Sequence, residues 1–416
     1  MTSRERVLAA LDHHEPDRPP IDFGGHRSSG IMAIAYKKLK DYLGITSGDI
    51  YVYDVIQQLA IVEPPVLDEF GVDVIELGRG FLTDDADWKE WVLPDGTPCK
   101  IPAYVQMEKR GDDWLLLNAA GRPVGVQKKG CLYFEQIDYP LADRNFAEDD
   151  FSDLEQHLSS GLWSVPSPGG HLSLDGDDLN QLSQGAKKLR AWTDRAIVGL
   201  FGGNLFETPQ SLYRMDNYLT FLMLYPEQCL RLSEKLTEIY LNNLEKWLSA
   251  VGPYIDVILF GDDLGGQNGP LISPETYREF FKPFHRRMWR RVKESADVKI
   301  MLHSCGGIAP FLKDLIDAGL DAVNPVQISA AGMDARILKE KYGDRLTFWG
   351  GGCDTQSVLP YASAEEVRAH VRRQVNVLGR GGGFVFQQVH NIMANVPPEN
   401  IAAMFQEINR RVEKWI

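Results

Sequence analysis

The chain is poor in the features that mark whole classes of protein. No run of about 18 apolar residues occurs, so no membrane-spanning helix is expected. The first residues, MTSRERVLAALDHHEPDRPP, place charges where an export signal needs an apolar stretch, and a cytoplasmic location is expected. Basic charge is in deficit: 44 Lys and Arg against 58 Asp and Glu leave −14, which argues against nucleic acid or an anionic membrane as partner. Cysteine is scarce, odd in number and never spaced C-x-x-C. Cys99, Cys131, Cys229, Cys305 and Cys353 are therefore expected as reduced thiols or ligands, not as a disulfide framework. Internal repeats and low-complexity tracts are also missing.

What is present is ordinary globular material, 44% hydrophobic and 25% charged. Near-continuous apolar runs suit strands buried on both faces of a parallel sheet. They begin with IDFGG (Ile21 to Gly25), VDVIELG (Val72 to Gly78), AIVGLFGG (Ala196 to Gly203) and DVILFGDD (Asp256 to Asp263). VKIMLHSC (Val298 to Cys305), DAVNP (Asp321 to Pro325), LTFWGG (Leu346 to Gly351) and FVFQQVH (Phe384 to His390) follow. Helical periodicity fills the gaps, as in Leu232, Leu236, Ile239, Leu244 and Trp247, or Tyr277, Phe281, Phe284, Met288 and Val292. Ser363 with Glu366 makes a capping box, and Gly379 is placed to end that helix.

Strand then helix, eight times, predicts an α/β fold, a (β/α)8 TIM barrel, whose core needs roughly 250 residues. The surplus is expected as an N-terminal helical cover (1–70) and an antiparallel β-meander inserted at about 88–140, all within one domain of residues 1–416. Residues 149–185, rich in Ser, Gly and Asp, read as a linker. A doubly wound open sheet is the alternative, disfavoured because no G-x-G-x-x-G follows the early strands.

In such a barrel the active site gathers at the carboxyl ends of the strands. Polar residues concentrate there. His303 and Cys305, two apart on one strand, point to the same side. Cys353 follows a run of glycines at another strand end. One imidazole and two thiolates suit Zn²⁺ with a position left open. The same residues also read as buried small hydrophobes and a bonded core histidine; a redox pair is a third reading, disfavoured without C-x-x-C. Asp262 and Asp263 are adjacent, so one of the two faces the mouth, as a metal ligand, an acid or a substrate anchor; the other reading is a loop brace. Glu207 is either an acid or ligand, or a first-turn carboxylate complementing a helix dipole. Asn324, Gln327, Gln388 and His390 are candidate substrate-binding groups.

RERVLAALDHHEPDRPPIDF (Arg4 to Phe23), GDDLGGQNGPLISPETYREFFKPF (Gly261 to Phe284), HSCGGIAPFLKDLIDAGLDAVNPVQ (His303 to Gln327) and VHNIMANVPPENI (Val389 to Ile401) resemble the uroporphyrinogen decarboxylase superfamily. More narrowly, they look like its corrinoid-dependent methyltransferase branch. The resemblance implies a TIM barrel and a zinc ion held by His303, Cys305 and Cys353. It implies transfer of a methyl group from a small-molecule donor, a methyl ether or similar, to cobalt. The D-x-H-x-x-G motif of corrinoid carriers is missing, so the cobalamin is expected on a separate corrinoid protein. A homo-oligomer is compatible with this reading. Alternatives are transfer from a methyl-corrinoid protein to a thiol or tetrahydrofolate, uroporphyrinogen decarboxylation, and a non-catalytic binding protein with structural zinc. The decarboxylase reading is weakened by DFGGHRSSGI, which holds one arginine, Arg27, where decarboxylases carry an arginine-rich motif.

Overall fold

The computed structural model describes residues 1–164 and 168–410. Seven parallel strands form one sheet. In sheet order they are Val74–Glu76, Ala196–Gly202, Val257–Gly261, Lys299–His303, Ala322–Asn324, Thr347–Trp349 and Phe384–Val385. Residues 20–22 close the ring. The Asp22 N–H donates to the Phe386 carbonyl (2.9 Å), Phe386 N–H to Pro20 (2.8 Å), and Asp73 N–H to Ile21 (2.8 Å). The result is a closed eight-stranded barrel, and the eight apolar runs read from the sequence are its strands. They are numbered below in chain order, so residues 20–22 are the first strand and Phe384–Val385 the eighth.

Amphipathic helices surround the ring. The stripe Leu232, Leu236, Leu244 faces inward on Pro226–Val251, and Phe281, Met288, Val292 does so around Lys282–Ser295. The Ser363–Glu366 capping box opens the helix Ala364–Leu378. Between the second and third strands the chain makes a hairpin, Trp88–Val92 with Pro98–Pro102, then a four-stranded antiparallel meander from Gln106 to Gln136. The linker reading of 149–185 needs correction at two places, since Leu154–Leu158 is a short α-helix and a longer one begins at Gly176; residues 165–167 lie outside the described residues. Gly176–Trp192 is an α-helix, because Leu182, Ala186 and Leu189 recur on one buried face while the Asp and Ser residues face water.

The N-terminal cover begins as a plug. The helix Ser3–Leu11, with a capping box between Thr2 and Glu5, inserts Val7 and Leu11 among Val74, Val198, Leu259, Met301 and Trp349. Those five line the barrel interior, so the amino-terminal end is filled with side chains. Arginines ring the plug: Arg6 and Arg18 take the two oxygens of buried Asp73 (2.6 and 2.7 Å), and Arg4 and Arg190 take those of buried Asp256 (2.6 and 2.9 Å). Among the described residues no helix is long and apolar enough to cross a membrane.

Candidate functional site

At the opposite end the strand termini enclose a cavity of about 740 Å³. The fifth strand ends at His303, and strand alternation sends Ser304 into the barrel wall, where its Oγ accepts the Leu264 N–H (3.0 Å). His303 and Cys305 on either side both line the cavity, with Cys305 Sγ 3.4 Å from His303 Nε2. Gly306, at φ +83°, carries the chain against the neighbouring loop, where a Cβ would lie 2.4 Å from the Gly265 carbonyl carbon. That close approach lets Asp263 accept the Cys305 N–H at 2.7 Å.

Hydrogen bonds determine which ring nitrogen faces the cavity. Asn324 is fully buried, and its Nδ2 donates to the Trp349 carbonyl and to Gln387 Oε1, both at 2.9 Å. A carbonyl can only accept, so Asn324 Oδ1 must be the acceptor for Ser28 Oγ (2.7 Å) and for His303 Nδ1 (2.9 Å). His303 therefore carries its proton on Nδ1 and turns its Nε2 lone pair toward Cys305 and the cavity. His390 repeats the device: its Nδ1 lies 2.8 Å from Asn391 Oδ1, whose amide nitrogen donates to Gln57 (2.9 Å). Burial lowers the basicity of both rings, His390 to about 4 with the neighbouring His303 adding to the effect, so both are neutral at pH 7. The ligating atoms of His303, Cys305 and His390 lie within 4.8 Å of one another.

Acidic groups crowd this cluster. Asp263 Oδ1 is 3.8 Å from His303 Nε2. Glu207, held by Asn204 Nδ2 at 2.7 Å, lines the same wall. Burial raises its carboxyl to about 8, and the charges of Asp263 and Asp262 push the same way. Burial, then Asp263 and Glu207, hold the Cys305 thiol well above its ordinary range. Asp262 points the other way. Its oxygens accept the N–H groups of Leu205, Phe206 and Glu207 (3.0, 2.8 and 3.0 Å) and the His285 ring (3.0 Å), so it braces the turn that presents Glu207.

Other sequence candidates are placed differently. Cys353 is fully buried, its Sγ 3.9 Å from the Asp354 carbonyl, and it does not join the three-residue group. Asn324 uses its amide within the protein and positions His303. Gln327 accepts the Gly306 N–H (2.8 Å) and donates to Gln267 (2.8 Å), bracing the loop after Cys305. Gln388 is buried, its Nε2 3.4 Å from the Gly30 carbonyl, and it does not line the cavity. His26, Arg27, Glu76 and Trp163 do line it and were not singled out as site residues. A lone glutamate at the end of the otherwise apolar strand VIE was the available signal for Glu76.

The donor set suits a borderline-soft divalent cation: two neutral imidazoles and a thiol, each imidazole held by an outer hydrogen bond. The surrounding carboxyls oppose thiol ionisation unless a positive charge is added, as a cation would add it.

Residues 176–411 match the family described as Uroporphyrinogen decarboxylase (URO-D). A uroporphyrinogen decarboxylase from Thioalkalivibrio sulfidiphilus is 30% identical over 215 residues, covering 50% of this chain and 51% of the relative. One from Methylococcus capsulatus is 26% identical over 194 residues, covering 45% and 50%. The chain thus spans about half the length of these curated relatives. A solved structure of a methyltransferase from Methanosarcina mazei superimposes with a TM-score of 0.57 at 16% identity, covering 98% of both chains, which shows a shared fold.

Proposed function

Since the chain belongs to the uroporphyrinogen decarboxylase family, we propose that it is a zinc-dependent methyltransferase, moving a methyl group from a small methylated donor to the cobalt of a separate corrinoid protein. One observation carries the reading: His303, Cys305 and His390 bring three ligating atoms within 4.8 Å at the wall of an open cavity. The methyltransferase fold neighbour supports the same activity class. His390 takes the third ligand place that the resemblance gave to Cys353. Zinc held by His303, Cys305 and His390 would supply Lewis-acid stabilisation of charge on the donor heteroatom. A corrinoid carried by a separate protein would supply the nucleophile that receives the methyl group.

The chain's own residues do the rest. Asn324 and Asn391 hold the two imidazoles in one tautomer and one orientation, so the ligand set is formed before substrate arrives. Asp263 fixes the Cys305 backbone and places a negative charge beside His303. Glu207 is the proton source for the departing heteroatom, held by Asn204 and by the Asp262 brace.

A three-residue set beside a 740 Å³ cavity favours an open site over a closed structural one. Uroporphyrinogen decarboxylation fits the cavity poorly, because a polycarboxylate would meet Glu76, Asp263 and Glu207 against one lining arginine, Arg27. The test is direct. Zinc analysis of the purified protein is expected to give about one ion per chain. With a reduced corrinoid protein and a panel of methyl ethers, the visible spectrum should change from cobalt(I) to methyl-cobalt(III). Zinc-free protein that catalyses this transfer would sink the proposal. Formation of methyl-cobalt only in the reverse direction, from a methylated thiol or folate, would assign the other half-reaction.

A further inference from the structure

Glu76 stands at the end of the second strand, on the cavity wall, three strands around the ring from His303. It is 7% exposed, and among the described residues none hydrogen-bonds its carboxyl or pairs with it. Its charged surroundings act at longer range: Arg27 and Arg79 favour the ionised form, and Arg27 is itself engaged with Asp54 at 2.8 Å. Buried carboxyls in folded proteins are met by donors, and an unmet one costs free energy comparable to several hydrogen bonds. The fold has nonetheless retained a carboxyl here, aimed into a space large enough for a ring-sized ligand.

Apolar side chains, among them Leu77, Phe81, Leu200, Phe201 and Trp247, share the cavity lining with polar ones such as His26, Ser28 and Asn204. One cavity thus holds both the Glu76 carboxyl and the His303–Cys305–His390 cluster. A ligand whose methyl group lies at the cluster would present its opposite end to Glu76. We propose that Glu76 is the anchor for a hydrogen-bond donor, a hydroxyl or a protonated amine, on the end of the methylated substrate remote from its methyl group. The substrate class is then a small methyl ether with a donor at its far end. An anionic end is repelled by Glu76 in its ionised form, which prevails at pH 8, the pH of the binding measurements. The inference rests on reading this cavity as the methyl-donor site, and it can fail independently of that reading.

Binding to the purified protein is measured by calorimetry with four probes that differ only at the far end: methoxybenzene, 4-methoxyphenol, 4-methoxybenzylamine and 4-methoxybenzoate. The phenol, the amine or both should bind about tenfold or more tighter than methoxybenzene, the scale of one hydrogen bond to a charged group, and the benzoate should bind weakest. Glu76→Leu should level the series. Glu76→Gln, which still accepts a hydrogen bond but carries no charge, should keep preference for the phenol and lose it for the amine. These two outcomes separate a hydroxyl-bearing from an ammonium-bearing substrate. Equal binding of all four, benzoate binding as tight as the phenol, absence of binding by every probe, or a preference that survives Glu76→Leu would overturn the inference. If Glu76→Leu does not fold, the wild-type series and Glu76→Gln still decide. Selective binding without methyl transfer from any bound probe would sink the proposed activity and leave the Glu76 site standing.

Discussion

At the amino-terminal end of the barrel, buried Asp73 and Asp256 are met by arginines on both oxygens; at the carboxyl end, buried Glu76 is paired with none among the described residues. The lower end is also plugged by Val7 and Leu11, whereas the upper end encloses a cavity. Both ends are made of the same eight strands, so the difference lies in what the loops and the first helix bring to them. Matched charge and filled volume stabilise; unmatched carboxyls, neutral imidazoles and a protonated thiol do not. Such groups persist where a ligand supplies the missing partner.

The contrast can be broken from either side. The largest effect is expected at the metal cluster: His303→Ala, Cys305→Ser or His390→Ala should weaken zinc binding by more than about 100-fold, beyond the scale of lost outer-sphere partners, measured by competition with a chromophoric chelator. Cys353→Ser should stay within about threefold of wild type, because a thiol outside the cluster contributes no ligand. Equal losses at His390 and Cys353 would remove the distinction drawn between them. At the matched end, Asp73→Ala leaves Arg6 and Arg18 facing each other without their anion and should cost about 3–5 kcal/mol in urea unfolding, with zinc content unchanged.

Glu76→Gln tests the unmatched end through pH. Burial raises the folded-state carboxyl from 4.5 to about 7. A raised acid favours the folded state while protonated, and that advantage is lost as pH rises from 4.5 through 7. Relative to the glutamine variant, wild type should therefore lose up to about 3 kcal/mol across this window and be the less stable protein at pH 8. Stability profiles that run parallel from pH 4 to pH 8 would show that Glu76 is matched after all. A smaller loss than at the ligands is expected at Asn324→Ala, which frees the His303 ring and should weaken zinc binding about 10–100-fold while every ligand remains.

Much of this architecture was legible from residue patterns. Eight buried parallel strands read as eight apolar runs because both faces of each are covered. The pairing of His303 with Cys305 followed from strand alternation. Which of Asp262 and Asp263 faces the cavity needed the turn at Leu205–Glu207, since only its three N–H groups show where Asp262 is spent. Cys353 was harder. Gly350 and Gly351, at φ +115° and +78°, turn the chain before it, so counting along the strand no longer reports direction. Parity likewise could not say that His390, beyond the eighth strand, reaches across to a cluster built on the fifth. Gly176–Trp192 looked like linker because its polar majority hid a narrow apolar stripe.

The plug formed by Val7 and Leu11 has a kinetic consequence. With the floor of the barrel solid, the cavity has no route to solvent through the amino-terminal end among the described residues. On the proposed function, a corrinoid protein docking over the mouth would cover it. The small methyl donor would then enter before the partner arrives, and its demethylated remainder would leave after the partner has gone. Initial-rate patterns should show compulsory order, with excess partner acting as an inhibitor that traps the empty enzyme.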